Sequence, residues 1–204
     1  MGTDWQRWHD GYDDPSSDLA RRLAAVAGWV RRADPTRLVS ICAGQGYDVL
    51  AGLAGSAAPQ RISGRLVELD EANVAAARAG LAAAGLTGIE VVRGDAGTTD
   101  AYAGAVPADL VLACGVFGNV SDADIRRTVD TLPAFCTTGA TVLWTRHRRA
   151  PDRTGDIRSW FAAAGFAELD FVAPDDALFS VGVARWPGPT PPLPPGRRLF
   201  TFTH

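Results

Sequence analysis

The stretch Ser40-Ile41-Cys42-Ala43-Gly44-Gln45-Gly46 joins an apolar run at residues 38–42 to a helical pattern at residues 47–53. The apolar run is short and rich in β-branched residues, which predicts a buried strand. Glycines at the turn let the backbone approach a ligand closely, and the helix that follows offers free N–H donors at its start. The stretch therefore predicts a site for a phosphate or an amino-acid carboxylate, although a plain strand-to-helix turn would also explain the glycines.

Strand and helix patterns continue to alternate along the chain. The predicted strands are residues 38–42, 65–69, 89–93, 108–113, 140–145, 166–172 and 179–186, and the predicted helices are residues 18–32, 47–53, 70–84, 122–135 and 155–164. Alternation of this kind is typical of an α/β protein with a mainly parallel sheet covered on both faces. The connection at residues 173–178 is too short for a crossover helix, so the last two strands should pair antiparallel.

The sequence predicts one domain over residues 1–204. Residues 1–34 would form an N-terminal lid and a helix, residues 36–186 the α/β core, and residues 187–204 a proline-rich tail. The proline-rich part, residues 187–195, should be extended. Residues 198–203 alternate like a short edge strand, so we expect the tail to pack back on the core.

Composition excludes several classes of protein. The chain of 204 residues has a formal charge of −3, so it does not indicate a nucleic-acid partner held by broad electrostatics. It has no lysine, which excludes a lysine Schiff base. Its three cysteines are widely spaced, which argues against a disulfide framework or a metal site. Without an apolar signal region or a run long enough to span a bilayer, we expect a cytoplasmic location and no membrane partner.

Acidic residues follow the second and third predicted strands. Glu68 stands at the tip of the second strand, 22 residues after Gly46, where a carboxylate can accept the hydroxyls of a ribose. Asp70 occupies the N-cap position of the next helix. Asp95 ends the third strand and could accept a hydrogen bond from an exocyclic amine of adenine, or be a simple turn aspartate. Glu68 could likewise be only an exposed strand end.

A further glycine-containing segment, Cys114-Gly115-Val116-Phe117-Gly118-Asn119, follows the fourth strand. Open parallel sheets bind ligands beyond the carboxyl ends of their strands, where the strand order reverses. Four successive strand tips thus carry groups suited to one nucleoside ligand. This agreement is more specific than any single motif.

With these motifs the sequence resembles the class I S-adenosylmethionine-dependent methyltransferases over roughly residues 36–185, and the whole chain is similar to a family of small methyltransferases from high-GC bacteria. The resemblance rests on Trp8-His9-Asp10-Gly11-Tyr12-Asp13, Cys42-Ala43-Gly44-Gln45-Gly46, Val67-Glu68-Leu69-Asp70, Gly94-Asp95-Ala96, Cys114-Gly115-Val116-Phe117-Gly118-Asn119 and Thr145-Arg146-His147. It implies a Rossmann-like fold with a seven-stranded, mostly parallel sheet in the order 3-2-1-4-5-7-6, strand 7 antiparallel, and helices on both faces.

The resemblance also implies a cofactor site. It assigns the glycine turn to the methionine part of S-adenosylmethionine, Glu68 to the ribose, Leu69 to one face of adenine, and Asp95 with the Ala96 N–H to the adenine edge. The full set of candidate cofactor residues is Cys42, Ala43, Gly44, Gln45, Gly46, Asp48, Glu68, Leu69, Asp95, Ala96, Cys114 and Gly115. The chain departs from the family pattern at Ser40 and Cys42, where an acidic residue and the first glycine are usual. Backbone carbonyls near Cys42 and Cys114, or Asp48, would then hold the amino group of the ligand.

Candidate catalytic and acceptor residues lie in the N-terminal segment and after the fourth and fifth strands. His147, His9 and Tyr12 are the candidate proton-transfer groups, and Trp8, Phe117, Asn119 and Arg146 are the candidate acceptor-binding residues. A histidine titrates near neutral pH, which suits a base. The aromatic N-terminal residues could instead be a staple on the domain surface. The arginines at positions 146, 148 and 149 could instead form a solvated face.

The sequence therefore predicts S-adenosylmethionine-dependent methyl transfer to a small-molecule acceptor, with S-adenosylhomocysteine as product. One alternative is a methyltransferase fold that binds the cofactor without methylating, acting as a cyclase or an interaction module. A nicotinamide-dependent oxidoreductase is disfavoured because Val49 stands where its glycine fingerprint needs a small residue. Association into a homodimer stays open.

Overall fold

The computed structural model describes residue 14 and residues 16–203. In this part of the chain seven strands form a single sheet. The strands are β1 (Arg37–Ile41), β2 (Ser63–Glu68), β3 (Ile89–Arg93), β4 (Ala108–Ala113), β5 (Cys136–His147), β6 (Ala167–Val172) and β7 (Phe179–Arg185). The α-helices are α1 (Asp18–Ala33), α2 (Tyr47–Leu53), α3 (Glu71–Ala83), α4 (Asp122–Thr131) and α5 (Thr154–Ala163). Short 3-10 helices cover Pro59–Arg61, Thr99–Tyr102 and Leu132–Phe135.

The strand order is β3-β2-β1-β4-β5-β7-β6, and β7 runs antiparallel to both of its neighbours. The other pairs are parallel. The predicted α/β class, strand order and direction of strand 7 are thus confirmed. Since the chain leaves β1 on one side for β2 and returns on the other side at β4, the strand order reverses between β1 and β4.

Local sequence features set where the helices begin and end. The Ser17 hydroxyl accepts a hydrogen bond from the N–H of Ala20 at 3.0 Å and begins α1. The Asp70 carboxylate does the same for the N–H of Asn73 at 2.9 Å, so its predicted capping role is confirmed. Gly85, with φ of 69°, follows α3 in the left-handed conformation that commonly ends a helix.

Two apolar layers cover the sheet. One face packs against α1, α2 and α3 through side chains such as Val30, Leu66 and Leu110. The other face packs against α4 and α5 through aromatic side chains that include Phe117, Trp144 and Phe161. Strands β1 and β4 send alternate residues into the two layers, which places their backbones in the middle of the protein. Their carboxyl ends are therefore held rigidly from both sides.

Two predicted boundaries and one predicted strand were wrong. The helix expected over residues 122–135 ends at Thr131, because Pro133 lies in the segment that continues as a 3-10 helix and has no N–H to donate. Strand β5 starts at Cys136 rather than at residue 140, and its pairing with β4 shifts register between Ala108 and Leu110. The edge strand expected over residues 198–203 is absent: that segment makes only two isolated bridges, Thr98 with Arg198 and Val120 with Phe202.

Across residue 14 and residues 16–203, none of the helices combines the length and the apolar character that a membrane crossing requires.

Candidate functional site

The glycine turn after β1 has an unusual backbone. Gly44 and Gly46 have φ of 56° and 77°, and Cys42 has φ of 54° although it carries a side chain. A residue with a Cβ in this left-handed region costs about 1–2 kcal/mol. The resemblance implies a glycine at the position of Cys42, and this left-handed backbone is one that glycine adopts freely. The turn is fixed by hydrogen bonds from the N–H of Ala43 to the carbonyl of Val67 at 3.0 Å and from the N–H of Gly46 to the carbonyl of Ala43 at 2.9 Å.

The surroundings of Cys42 disfavour its thiolate form. Burial, followed by the negative charges of Glu68 and Asp95, raises the pKa of Cys42. The thiol is therefore protonated at neutral pH, and the thiolate is the reactive form of cysteine.

Glu68 ties the tips of β1 and β2 together. Its Oε2 accepts a hydrogen bond from the N–H of Gly44 at 2.8 Å. Its Oε1 accepts from the N–H groups of Leu69 and Asp70 at 3.0 and 2.9 Å. A carboxylate has about four acceptor positions, so these three donors hold the side chain in place and leave it able to accept a hydroxyl. Leu69, next in the chain, is 65% exposed and presents an apolar surface at the same strand tip.

Asp95 follows β3 and is held by two donors. Its Oδ1 accepts a hydrogen bond from the N–H of Gly97 at 2.8 Å. Its Oδ2 pairs with the guanidinium of Arg198 at 2.5 Å. Ala96 is buried, and its carbonyl accepts the hydroxyl of Tyr102 at 3.0 Å. The loop after β3 is thus fixed both from within the core and from the C-terminal tail.

A buried polar group lies between the tips of β1 and β4. Asp48, in the first turn of α2, and Cys114, at the end of β4, share a side-chain hydrogen bond, and Cys114 also contacts the hydroxyl of Thr145. The Thr145 Oγ1 accepts the N–H of Gly115 at 2.8 Å. Oδ1 of Asp48 is enclosed and has no hydrogen-bond partner among the described residues. Burial raises the pKa of Asp48, although the charge of Arg22 and the contact with Cys114 act in the opposite direction.

His147 ends β5 beside the loop that follows β4. A Cβ on Gly118 would lie 3.3 Å from Cδ2 and 3.6 Å from Nε2 of the imidazole, so the ring packs directly over this glycine. Partial desolvation of the ring, followed by the charges of Arg146 and Arg149, lowers the pKa of His147. The exposed imidazole is therefore neutral at pH 7 and able to accept a proton.

Three of the predicted acceptor residues make contacts within the fold. Phe117, expected to line the acceptor pocket, is fully buried in the aromatic layer, with ring centroids 6.2 Å from Trp144 and 6.5 Å from Phe161. Burial of this apolar ring stabilises the fold, and Phe117 thereby anchors the loop after β4 to the aromatic layer. The guanidinium of Arg146 donates to the carbonyl of Phe117. Asn119 donates from Nδ2 to the carbonyl of Gly115 at 2.8 Å.

The arginines after β5 are not simply a solvated face. Arg148 donates to the carbonyls of Pro174 and Ala177, the second at 2.6 Å, and so holds the loop between β6 and β7. The same loop meets the start of α1, where Oδ2 of Asp18 accepts the N–H of Leu178 at 2.9 Å. The predicted residues Trp8, His9 and Tyr12 precede α1 and lie outside the described residues.

Three residues that interact with these strand tips were not among the predicted site residues: Arg22, Thr145 and Arg198. Arg22 is buried on the same face of α1 as Val26 and Val30, so its position within an apolar stripe was a usable signal. Thr145 stands in the recognised stretch Thr145-Arg146-His147, but its partner Gly115, like the partner Asp95 of Arg198, is distant in sequence and could not be predicted.

A separate cavity of about 340 Å³ lies between α5 and the β6–β7 end of the sheet. It is lined by residues that include Arg158, Phe161 and Glu168. None of the candidate cofactor residues lines this cavity, so it is distinct from the site at the strand tips.

Comparisons with known proteins agree with this architecture. A family model described as "Putative methyltransferase" matches residues 18–154, more than half of the chain. A comparison with curated proteins found no match.

Solved structures share the fold. An O-methyltransferase family protein from Burkholderia thailandensis is 14% identical with a TM-score of 0.64, over 82% of this chain and 55% of its own. Fibrillarin from Aeropyrum pernix, in complex with natively bound S-adenosyl-L-methionine, is 18% identical with a TM-score of 0.56, over 72% of this chain and 65% of its own. The tRNA methyltransferase TrmK from B. subtilis is 20% identical with a TM-score of 0.54, over 83% of this chain and 66% of its own.

This chain spans a little over half the length of the Burkholderia protein. Low identity limits these likenesses to the fold, and the family match covers β1 to β5 with the glycine turn and the tips of those strands. The chain therefore belongs to the family that this model describes as "Putative methyltransferase", and it has the fold of these solved methyltransferase structures.

Proposed function

We propose that this protein transfers the methyl group of S-adenosylmethionine to a small-molecule acceptor. The observation that carries the proposal is the enclosed Oδ1 of Asp48, which has no hydrogen-bond partner among the described residues and belongs to the first turn of the helix that Gly46 begins. A buried acceptor without a donor is unfavourable unless a ligand supplies one. The α-ammonium of the cofactor is a donor of the required charge.

The remaining residues at the strand tips fit the other parts of the same ligand. Gly44 and Gly46 adopt the left-handed conformations that this tight turn needs, and a Cβ on Gly46 would lie 3.1 Å from Leu66, so the turn packs closely on the core below the proposed place of the methionine moiety. Glu68 retains acceptor capacity for a ribose hydroxyl. Leu69 offers an apolar surface to one face of adenine, and Asp95 a carboxylate to its amine. Asp48 would thus replace the acidic residue that is usual at the position of Ser40.

When bound, S-adenosylmethionine supplies an activated methyl group on a sulfonium. The protein then has to orient the acceptor, exclude water and accept a proton where the acceptor carries one. His147 is suited to the last task because its pKa is lowered and its ring is exposed beside the loop after β4. Asn119 and the N-terminal residues Trp8, His9 and Tyr12 remain candidates for the acceptor side.

A small molecule is favoured as acceptor over a nucleic acid. The formal charge is −3, and several arginines near the site are engaged within the fold. Arg146 and Arg148 bind backbone carbonyls, and Arg198 pairs with Asp95. These side chains are therefore not presented together to a phosphate backbone.

Calorimetry with S-adenosylhomocysteine tests the cofactor site. We expect the wild type and Glu168→Gln, which removes a carboxylate on β6, to bind it alike, and Asp48→Asn to bind it more weakly. Release of S-adenosylhomocysteine from S-adenosylmethionine with a panel of small hydroxylated and amino acceptors then tests turnover. A folded wild-type protein that binds NADH but not S-adenosylhomocysteine would reject the proposal in favour of an oxidoreductase.

A further inference from the structure

The last part of the chain crosses the carboxyl edge of the sheet. We call residues 194–203 the strap. It is joined to the loop after β3 by backbone hydrogen bonds from Thr99 N–H to the Arg197 carbonyl at 3.0 Å and from Leu199 N–H to the Gly97 carbonyl at 2.8 Å. The Thr99 hydroxyl also donates to the Pro194 carbonyl at 2.6 Å.

The strap continues to the loop after β4. The N–H of Thr203 donates to the carbonyl of Asn119 at 3.0 Å, and Thr128 donates from its hydroxyl to the carbonyl of Leu199 at 3.2 Å. Leu199 and Phe200 are buried in the aromatic layer. Because it is anchored at both ends and in the middle, the strap is a fixed element that connects two of the loops in the candidate cofactor site.

Close approach of the strap explains Gly97. A Cβ at this position would lie 2.5 Å from the carbonyl oxygen of Phe200 and 3.0 Å from both a guanidinium nitrogen of Arg198 and Oδ1 of Asp95. Only a glycine permits this contact between the strap and the loop. The Arg198 guanidinium is thereby delivered to Oδ2 of Asp95 while the Gly97 N–H holds Oδ1.

We propose that Arg198 is a positioning residue that aims the Asp95 carboxylate at the 6-amino group of adenine, so that the strap sets the base specificity of the cofactor site. This inference rests on the proposed function. A free aspartate side chain at a loop would populate several rotamers. The Gly97 N–H and the Arg198 guanidinium donate to opposite oxygens of Asp95 and so hold its side chain in one rotamer. Each carboxylate oxygen keeps a lone pair that can accept a hydrogen bond from the amine.

Equilibrium binding of two probes tests the proposal. One probe is S-adenosylhomocysteine, and the other is S-inosylhomocysteine, in which an oxygen replaces the 6-amino group. We expect the wild type to prefer the first by at least about tenfold, because the second places an acceptor against a carboxylate. In Arg198→Ala the affinity for S-adenosylhomocysteine should fall about five- to twentyfold while that for S-inosylhomocysteine changes less than about twofold.

Three further variants identify the cause. Arg197→Ala removes the same charge from the neighbouring residue, whose exposed side chain makes no hydrogen bond or ion pair with the described residues, and should bind both probes like the wild type. Arg198→Lys retains a cation and should recover part of the preference. The double variant Asp95→Asn/Arg198→Ala should bind the two probes with nearly the same affinities as Asp95→Asn alone, because both changes act through one carboxylate.

Equal losses for the two probes in Arg198→Ala would mean that Arg198 only supports the strap, and the proposal would be overturned. Unchanged or tighter binding of S-adenosylhomocysteine would overturn it as well, since Arg198 would then be idle or would compete with adenine. These results leave the proposed function intact if the wild type binds S-adenosylhomocysteine. A wild type that binds neither probe rejects both proposals.

Discussion

The carboxylate of Glu68 accepts the N–H of Gly44 at 2.8 Å, so the tip of β2 is tied directly to the glycine turn after β1. Two strand tips that carry different parts of the candidate cofactor site therefore share one hydrogen bond. The contact explains why the turn can hold a strained Cys42 in place: the backbone on its far side is fixed by a charged acceptor. Perturbation of Glu68 should consequently affect both the ribose and the methionine ends of the site.

We expect Glu68→Ala to weaken binding of S-adenosylhomocysteine at least about tenfold and to lower the free energy of unfolding by about 1–2 kcal/mol, because three backbone donors lose a charged acceptor. Calorimetry and urea unfolding measure the two effects. The matched control is Glu168→Ala, since Glu168 lies on the distant strand β6 and pairs with the exposed Arg158 of α5. Normal binding by a folded Glu68→Ala protein would contradict the assignment.

Asp48→Asn should weaken binding of S-adenosylhomocysteine without lowering the stability of the folded protein. The folded pKa of Asp48 is raised above its ordinary 3.8, so its contribution to stability is present at low pH and is lost as pH rises through the folded pKa. The amide cannot ionise, so the variant should be at least as stable as the wild type at pH 7 while binding S-adenosylhomocysteine about tenfold more weakly. Thermal unfolding with calorimetry checks this, and a less stable variant with full affinity would show that Asp48 has only a structural role.

The affinity of the wild type for S-adenosylhomocysteine should fall as pH decreases through the raised pKa of Asp48. The ammonium of the ligand favours the ionised carboxylate, so a proton must leave before binding. Calorimetry over a pH series measures this dependence. Asp48→Asn, which has no carboxyl at this position, should show a flatter pH profile, and equal slopes for the two proteins would contradict the assignment.

His147 should affect turnover rather than cofactor affinity. With an acceptor found by screening, His147→Gln should lower kcat about 100-fold and leave binding of S-adenosylhomocysteine unchanged. In the wild type, kcat should rise with pH through the His147 pKa and then level off. Because partial desolvation and two arginines lower that pKa, the rise should lie below the ordinary value of 6.5. A rise centred above 6.5, or unchanged turnover in the variant, would remove His147 from the mechanism.

Cys42→Gly and Cys42→Ala form a matched pair that tests the strain in the glycine turn. Both remove the thiol, but only glycine adopts the left-handed backbone freely, so Cys42→Gly should be more stable than Cys42→Ala by about 1 kcal/mol. Urea unfolding of the two variants measures the difference. In a helix interior an alanine variant is more stable than a glycine variant. If Cys42→Ala proved more stable than Cys42→Gly, Cys42 would not be held at positive φ.

Gly97→Ala should displace the strap. The added Cβ would meet the Phe200 carbonyl at 2.5 Å, whereas at Gly94 the nearest atom is 3.8 Å away. We therefore expect faster hydrogen exchange at the Thr99 and Leu199 amides in Gly97→Ala than in Gly94→Ala, which should match the wild type. Equal exchange in the two variants would mean that the strap does not need its close contact with this loop.

The local features of this chain could be predicted from the sequence because they depend on neighbouring residues. Apolar runs and helical spacing predicted the strands and helices, and Asp70 could be assigned as an N-cap by its position before a helix. The glycine turn and the acidic residues at the strand tips were recognisable because parallel strands all end at the same edge of the sheet. Residues that directly follow different parallel strands therefore lie close together in the fold, although they are far apart in the sequence.

Only the tertiary structure could decide which side chains meet. Arg198 and Asp95 are 103 residues apart, and their pairing depends on a tail whose pattern predicted an edge strand. Phe117 faces the core rather than a pocket, and Asp48 meets Cys114, for the same reason. Periodicity along a segment gives the face on which a residue lies, whereas its partners depend on how separate elements pack, since contacts between distant segments are selected by the free energy of the whole fold.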